Sequence, residues 1–216
     1  MVNPVDRLDP AGDATSRQHA DPLRVVEELA WNRRSNLRVD PDRAVPPALV
    51  ERLCRLASWA PNHHRTRPWR FCAVTGAARH ALGEALAEEL LAAGEENPAK
   101  VAKARTKYAR APLVLVVATH VANDEVTATE DRDAVAAAVQ TLLLAATGAG
   151  LATLWSTGAA ARSRRVADAC GFAPDEVVVG LVYVGWPLAD APPSPDRPEP
   201  TVRFLDTAPD PTGPRD

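Results

Sequence analysis

Cysteine is too scarce in this sequence to hold a fold together. Cys54, Cys72 and Cys170 are an odd number, lie far apart and form no Cys-x-x-Cys pair. That excludes a disulfide framework or a cysteine-rich zinc site, and suits a reducing, cytoplasmic setting. Positive charge is not in excess either: 25 Lys and Arg against 28 Asp and Glu leave a net charge of −3. Binding a phosphate backbone needs a basic surface, so no nucleic-acid partner is expected. The N-terminal region, with Asp6, Asp9 and Asp13, has no basic-then-apolar leader pattern. Phosphate-loop, nucleophile-elbow and His-Glu-x-x-His patterns are all missing. His63 and His64 are adjacent, and a helix or strand aims neighbouring side chains in different directions, so no metal site is expected. The glycines of GAGLAT, residues 148–153, follow a helical pattern and precede a strand-like one. A dinucleotide turn needs the reverse order, so they read as a helix terminus.

What remains is a globular composition, 46% hydrophobic and 25% charged, in 216 residues. This is enough for one well-filled domain, residues 1–216, and too little for two. Residues 1–20 are polar and expected to be flexible. Residues 134–155 carry no charge, yet they include Gln140, Thr141, Thr147, Gly148 and Gly150 and are rich in alanine. A buried core helix fits them better than a bilayer span, and no membrane partner is expected.

Periodicity supplies the elements. A helix is expected over 21–32, and a clearer one from Leu49 to Ala60, opened by Pro46 and Pro47 and stopped by Pro61. Strands are expected at 69–74, at 113–120 (LVLVVATH), at 152–156 and at 177–186, the last apolar in both alternating sets and hence central. Further helices are expected at 77–93, 134–149 and 162–170, with Gly171 as a C-terminal cap. The basic run 98–110 reads as a solvated helix face, with a substrate-facing lid as the other reading, and 124–133 as an acidic loop. Nine of the 20 prolines lie between Pro187 and Pro214. This tail, residues 187–216, lacks the apolar content for a core of its own and should cross a surface. Its β-like part is TVRFL, 201–205. The expected architecture is α+β, helices layered on a sheet.

Three polar clusters fall at element boundaries, where side chains are free to converge on a ligand. Arg33, Arg34, Ser35 and Arg38 could clamp a phosphate through charge-assisted pairs, or simply offset a helix dipole. APNHHRTRPW, 60–69, offers Asn62, His63, Arg67 and Trp69 in a proline-bounded loop, or is a rigid connector. LWSTG, 154–158, ends a strand with free amides and hydroxyls. In this order, with a helix beginning near Gln140 before the last of them, the clusters resemble the bacterial nitroreductase family and its short, minimal branch. The resemblance covers roughly residues 29–185.

That resemblance implies a three-layer α/β/α sandwich with a central mixed sheet, and a homodimer with two FMN molecules at the subunit interface. It matches Arg33, Arg34 and Ser35 to positions that hold the FMN phosphate and ribityl chain, and His63 and Arg67 to the loop beside the flavin. Trp155, Ser156 and Thr157 match the strand end that closes over the cofactor. Two residues depart from the family pattern: Arg67 stands where an uncharged amide is common, and Ser156 where a basic residue is common. The implied activity is FMN-dependent oxidation of NADH or NADPH and reduction of a small electron-poor acceptor, a nitroaromatic or quinone. Because FMN carries the chemistry, no catalytic side chain is expected. Reductive dehalogenation, flavin conversion and a non-catalytic flavin-binding dimer are the other readings. The residues add an argument for a dimer: the 134–149 helix has no continuous polar face. Burying Val135, Val139, Leu142, Leu143 and Leu144 contributes about 1.5–3 kcal/mol each, so a second subunit is expected to cover this helix, and the tail to wrap that partner.

Overall fold

The computed structural model describes residues 21–122 and 124–205. The expectation for residues 1–20, and the tail beyond residue 205, lie outside the described residues.

Among the described residues, six α-helices and four strands follow in the order α1 (Pro22–Asn32), α2 (Pro47–Ala57), β1 (Trp69–Thr75), α3 (Ala78–Ala92), α4 (Pro98–Thr106), β2 (Leu113–His120), α5 (Glu125–Gly148), β3 (Ala152–Ser156), α6 (Arg164–Ala169) and β4 (Glu176–Gly185). The sheet order is β1-β2-β4-β3 and every neighbouring pair is antiparallel. The parallel component is one bridge beyond the β3 edge, Ser35 to Thr153. The sheet is thus antiparallel in its four strands and mixed only at that bridge. β4 is central, and its residues from Val178 to Gly185 are all buried.

Strand alternation sends side chains to two cores, giving the expected three layers. Val114 and Val116 of β2, with Leu181 and Tyr183 of β4, meet Leu82, Leu86, Val101 and Val166 from α3, α4 and α6. Leu113, Leu115, Val117, Val182 and Val184 point the other way, against Val50 and Leu53 of α2 and Val135, Val139 and Leu142 of α5. Val179 is an extra residue in the β2–β4 register: Val117 pairs with Gly180 and Ala118 with Val178. This bulge leaves room above Gly180 for the Trp155 indole, since a Cβ there would lie 2.9 Å from Trp155 Cδ1.

Several boundaries differ from expectation. Residues 125–133 are not a loop: α5 begins at Glu125, with the Asp124 carboxylate capping the Thr127 amide at 2.9 Å. α6 starts at Arg164, after a short 3₁₀ turn over Ala159–Arg162. Gly171 does take a left-handed conformation, φ 72°. The basic run is a solvated face: Val101, Ala104 and Tyr108 turn inward, while Lys100, Lys103, Arg105 and Arg110 are exposed. The tail from residue 191 to 205 is irregular and exposed, and TVRFL forms no strand within the chain, with Phe204 89% exposed. No helix among the described residues is long and apolar enough to cross a membrane.

One side of α5 is covered by the chain itself. Val135, Val139, Leu142 and Leu143 are already buried by the chain's own α2 and sheet. The apolar surface left open is on α1, which buries no residue at all, and at the end of α2. Leu23, Val26 and Trp31 of α1, with Trp59 just beyond α2, are each more than half exposed. On α5 itself Ala137, Thr141 and Leu144 stay half-buried and Gln140 is exposed, so a second copy would have surface to cover both along α5 and at α1.

The cysteines occupy unlike surroundings. Cys72 on β1 and Cys170 after α6 pack against the same core, where the Cys170 thiol can bond a Cys72 thiolate. That bond lowers the Cys72 thiol to about 7 against the opposing effect of its burial. The same contact, with burial, pushes Cys170 up. Burial, then the Glu51 charge, raises Cys54 to about 11. A thiolate forms above its own pKa, so iodoacetamide labelling of Cys72 should rise as pH passes through 7, while Cys54 stays inert until far more alkaline pH. Peptide mapping of labelled protein across that range tests both halves; preferential labelling of Cys54 would contradict them.

Candidate functional site

The C-terminus of α1 delivers the first cluster to the sheet edge. Arg33 N donates to the Leu29 carbonyl at 3.0 Å and closes the helix. The chain then turns extended, and Asn36 N donates to the Thr153 carbonyl at 2.9 Å, which fixes Arg33–Asn36 against β3. Asn36 is buried, and its side-chain oxygen accepts from Arg38 N at 2.9 Å. The Arg34 guanidinium folds back to donate to the Trp31 and Arg33 carbonyls, which bear the negative end of the helix dipole. Its Nε is buried and has no partner among the described residues. A buried cationic donor left unpaired costs stability unless a ligand accepts from it.

A cavity of about 230 Å³ opens beside this corner, lined by Asn32, Arg34, Asn36, Thr147 and Gly150 among others. Asp190, exposed in the segment after β4, also borders it. A larger cavity, about 390 Å³, lies between α2 and β1 and contains none of the nominated residues; its polar groups include Glu51 and Cys54.

β3 carries the third cluster. Trp155 and Ser156 are half-buried and Thr157 is exposed at the strand's end. Trp155 Nε1 is another buried donor without a partner. The first and third clusters therefore share one strand, through Ser35 at Thr153.

The second cluster is elsewhere. His63 and Arg67 lie in a loop tied to the first half of α5, where Thr66 Oγ1 donates to the Asp131 carboxylate. Asn62 organises the loop: its side-chain oxygen accepts from Arg67 N at 2.8 Å and its amide donates to Thr66 Oγ1 at 3.0 Å. α1, by contrast, meets the far end of α5, where Leu29 Cδ2 lies 3.4 Å from the point a Cβ on Gly148 would occupy. Seventeen residues separate Asp131 from Gly148 (148 − 131) in α5; at the helical rise this is roughly 25 Å. One chain brings Arg33, Arg34, Ser35, Trp155, Ser156 and Thr157 to one region and leaves His63 and Arg67 at the other end of α5.

Thr66, Glu130 and Asp131 were not nominated from sequence. A signal for Asp131 existed, because the helical period places it on the face of Val135, Ala138 and Leu142, and a carboxylate on a buried face needs a partner. The three arginines around the start of α6 divide: Arg164 binds Asp168 and the Phe172 and Ala173 carbonyls, Arg165 lies near Glu88 and Glu89, and Arg162 is exposed.

The class defined so far is a three-layer α+β protein whose sheet edge carries an arginine corner with buried donors that have no partner among the described residues. Comparison with known proteins gives the family. The Nitroreductase family pattern matches residues 30–186. The chain is 33% identical over 175 residues to YdjA of Escherichia coli (strain K12), whose name proposes an NAD(P)H nitroreductase, covering 81% of this chain and 94% of that one. A nitroreductase-like family protein from Bacillus cereus superposes with a TM-score of 0.71 at 25% identity, over 84% of this chain and 96% of that chain. A nitroreductase with bound FMN from Bacteroides fragilis superposes with a TM-score of 0.67 at 20% identity, over 84% and 98%. The chain belongs to the nitroreductase family.

Proposed function

We propose that this chain is a homodimeric, FMN-dependent oxidoreductase that oxidises NADH or NADPH and reduces a small electron-poor acceptor. The observation that carries the reading is the Arg34 guanidinium: folded onto the α1 terminus, with a buried Nε that lacks an acceptor, beside a cavity at the sheet edge. Phosphate is the acceptor that forked, charge-assisted donors suit best. Arg33 and Ser35 flank it, and the second unpaired donor, Trp155 Nε1, is on the strand to which Ser35 is bridged. The donor set fits FMN, the group named in the Bacteroides fragilis structure, and the nicotinamide donor follows the name of the Escherichia coli relative.

The bound isoalloxazine ring would supply two-electron chemistry, taking hydride at N5 from the nicotinamide and passing electrons to a nitroaromatic or quinone in ping-pong order. The protein holds and shields it. Arg33, Arg34 and Ser35 anchor the phosphate and ribityl end, and Trp155, Ser156 and Thr157 line the strand beside it. His63 and Arg67 complete the site from the second subunit: a two-fold axis across α5 sets the start of one helix against the end of its partner's, which removes the 25 Å separation within one chain. The same pairing would cover Leu23, Val26, Trp31 and Trp59.

The purified protein should be yellow, sediment as a dimer, and lose its visible absorbance when NADH or NADPH is added without oxygen. Addition of a nitroaromatic or quinone should restore it. A colourless monomer unable to take up FMN would refute the reading; a yellow protein that neither nicotinamide bleaches would reduce it to flavin binding.

A further inference from the structure

The loop between α2 and β1 brings together a set of donors that adjacency in sequence argued against. His63 and His64 were expected to diverge, as neighbours do in a helix or strand. The backbone here is neither: His64 has φ 58°, and Arg65 and Arg67 are also left-handed, at 56° and 52°. The turn folds the two rings onto the same side, with centroids 3.9 Å apart at 65°. Glu130 of α5 faces them, and one ligand atom from each of the three residues falls within 4.8 Å of the other two.

We propose that His63, His64 and Glu130 form a binding site for a divalent first-row transition ion of the zinc class. Two imidazole nitrogens and one carboxylate oxygen make a borderline-soft donor set with a fourth position left for water. Zinc–ligand bonds of about 2.0–2.2 Å place tetrahedral donors somewhat over 3 Å apart. Reaching that from the observed cluster takes only side-chain rotation, since both histidines are exposed and Glu130 is half-buried.

The geometry is imposed from outside the cluster. Asp131, 1% exposed, is held by Thr66, so the residue before it on α5 and the histidines three and two places before Thr66 are fixed relative to one another. Left-handed conformations at non-glycine residues are costly and persist where surrounding contacts enforce them, and Asn62 and Thr66 provide those contacts. Arg65 and Arg67, in the same loop, oppose a cation by charge. The expected affinity is therefore micromolar, not that of a structural zinc site.

His63 is shared with the proposed flavin site, but the metal reading does not rest on that site, and the test keeps them apart. Full-length protein as isolated is stripped with chelator, desalted and titrated with Zn²⁺ by calorimetry, with flavin content recorded before and after. One Zn²⁺ per chain should bind saturably. Glu130→Gln and His64→Ala should each weaken binding by roughly tenfold or more while flavin content and far-ultraviolet circular dichroism stay as in wild type. Glu125→Gln, on the same helix outside the cluster, should titrate as wild type does. Absence of saturable binding, or wild-type binding by either cluster variant, would overturn the assignment.

Discussion

Arg34→Ala is expected to yield a folded dimer that leaves purification largely without its flavin. Arg34 makes two kinds of contact, and they have different weights. Its Nη1 donates to carbonyls at the end of α1, a capping contact at a partly solvated helix terminus. Losing that costs about 0.5–1.5 kcal/mol, too little to unfold a domain of this size. Its fork toward the cavity is proposed to bind phosphate, and hydrogen bonds to a charged group are worth about 1.5–3 kcal/mol each. Removing one of them should weaken FMN binding by roughly ten- to 150-fold, and removing two by more. Arg34→Lys separates the charge from the fork: it keeps the cation but cannot give two parallel bonds, so it should fall between wild type and alanine. Fluorescence titration of released FMN, with an unfolding curve for each variant, reads both contributions. Wild-type FMN affinity in Arg34→Ala would remove the phosphate assignment even if the protein proved to be a flavoprotein.

The arginine corner was legible because local chemistry and local structure coincide: a helix ends, and donors cluster where it ends. The same holds for β2, β3, β4 and the proline-bounded α2, whose patterns depend on near neighbours along the chain. Where expectation and structure part, the deciding interaction is long-range. Residues 125–133 looked like a loop because Glu125, Glu130, Arg132 and Asp133 mask a helical period that continues from Ala134. What keeps them helical is the Asp124 cap and the burial of Asp131 against a loop sixty-five residues earlier. His63 and His64 were assigned divergent directions on the premise of regular backbone, and the left-handed turn that invalidates it is held by Asn62, Thr66 and Asp131 together. The burial of α5 shows the same limit. An apolar helix announces that it will be buried, but not by which surface. In the structure α2 and the sheet meet that need, and α1 is left unburied.

The exposed face of α1 bears on how the proposed dimer would be built from this sequence. A helix with no buried residue of its own has little reason to stay docked, since an isolated eleven-residue helix is marginal in water. α1 is fastened at its end, where Leu29 lies against Gly148 of α5 and Asn36 bonds Thr153, and its exposed apolar residues are open to a partner. Under the proposed function, flavin binding and dimerisation would be coupled: the corner proposed to hold the phosphate is also the clasp that presents α1 to a partner.

Gly83→Ala should be the most damaging single-methyl addition in the other core. In an exposed helix this change stabilises by about 1 kcal/mol, because alanine is the better helix former. Here α3 crosses α4 backbone to backbone. A Cβ on Gly83 would meet the Arg105 carbonyl head-on, 2.7 Å from its carbon, and would lie 3.1 Å from the Ala104 oxygen. No rotamer relieves a clash with main chain, so α4 must move as a body. Its buried residues Val101 and Ala104, and Tyr108 just beyond it, would then lose contact with Leu82 and Leu86. Overpacking of this kind costs about 1–3 kcal/mol or more; set against the helix-propensity gain, a net loss on the order of 2 kcal/mol is expected. Glu84→Ala provides the contrast on the next residue, where an exposed pair with Arg105 at 2.9 Å is removed. Surface pairs are worth about 0–1 kcal/mol, so that variant should unfold close to wild type. Urea unfolding of the two side by side decides the sign, and a Gly83→Ala protein as stable as its parent would mean that α3 and α4 do not approach as closely as their backbones indicate.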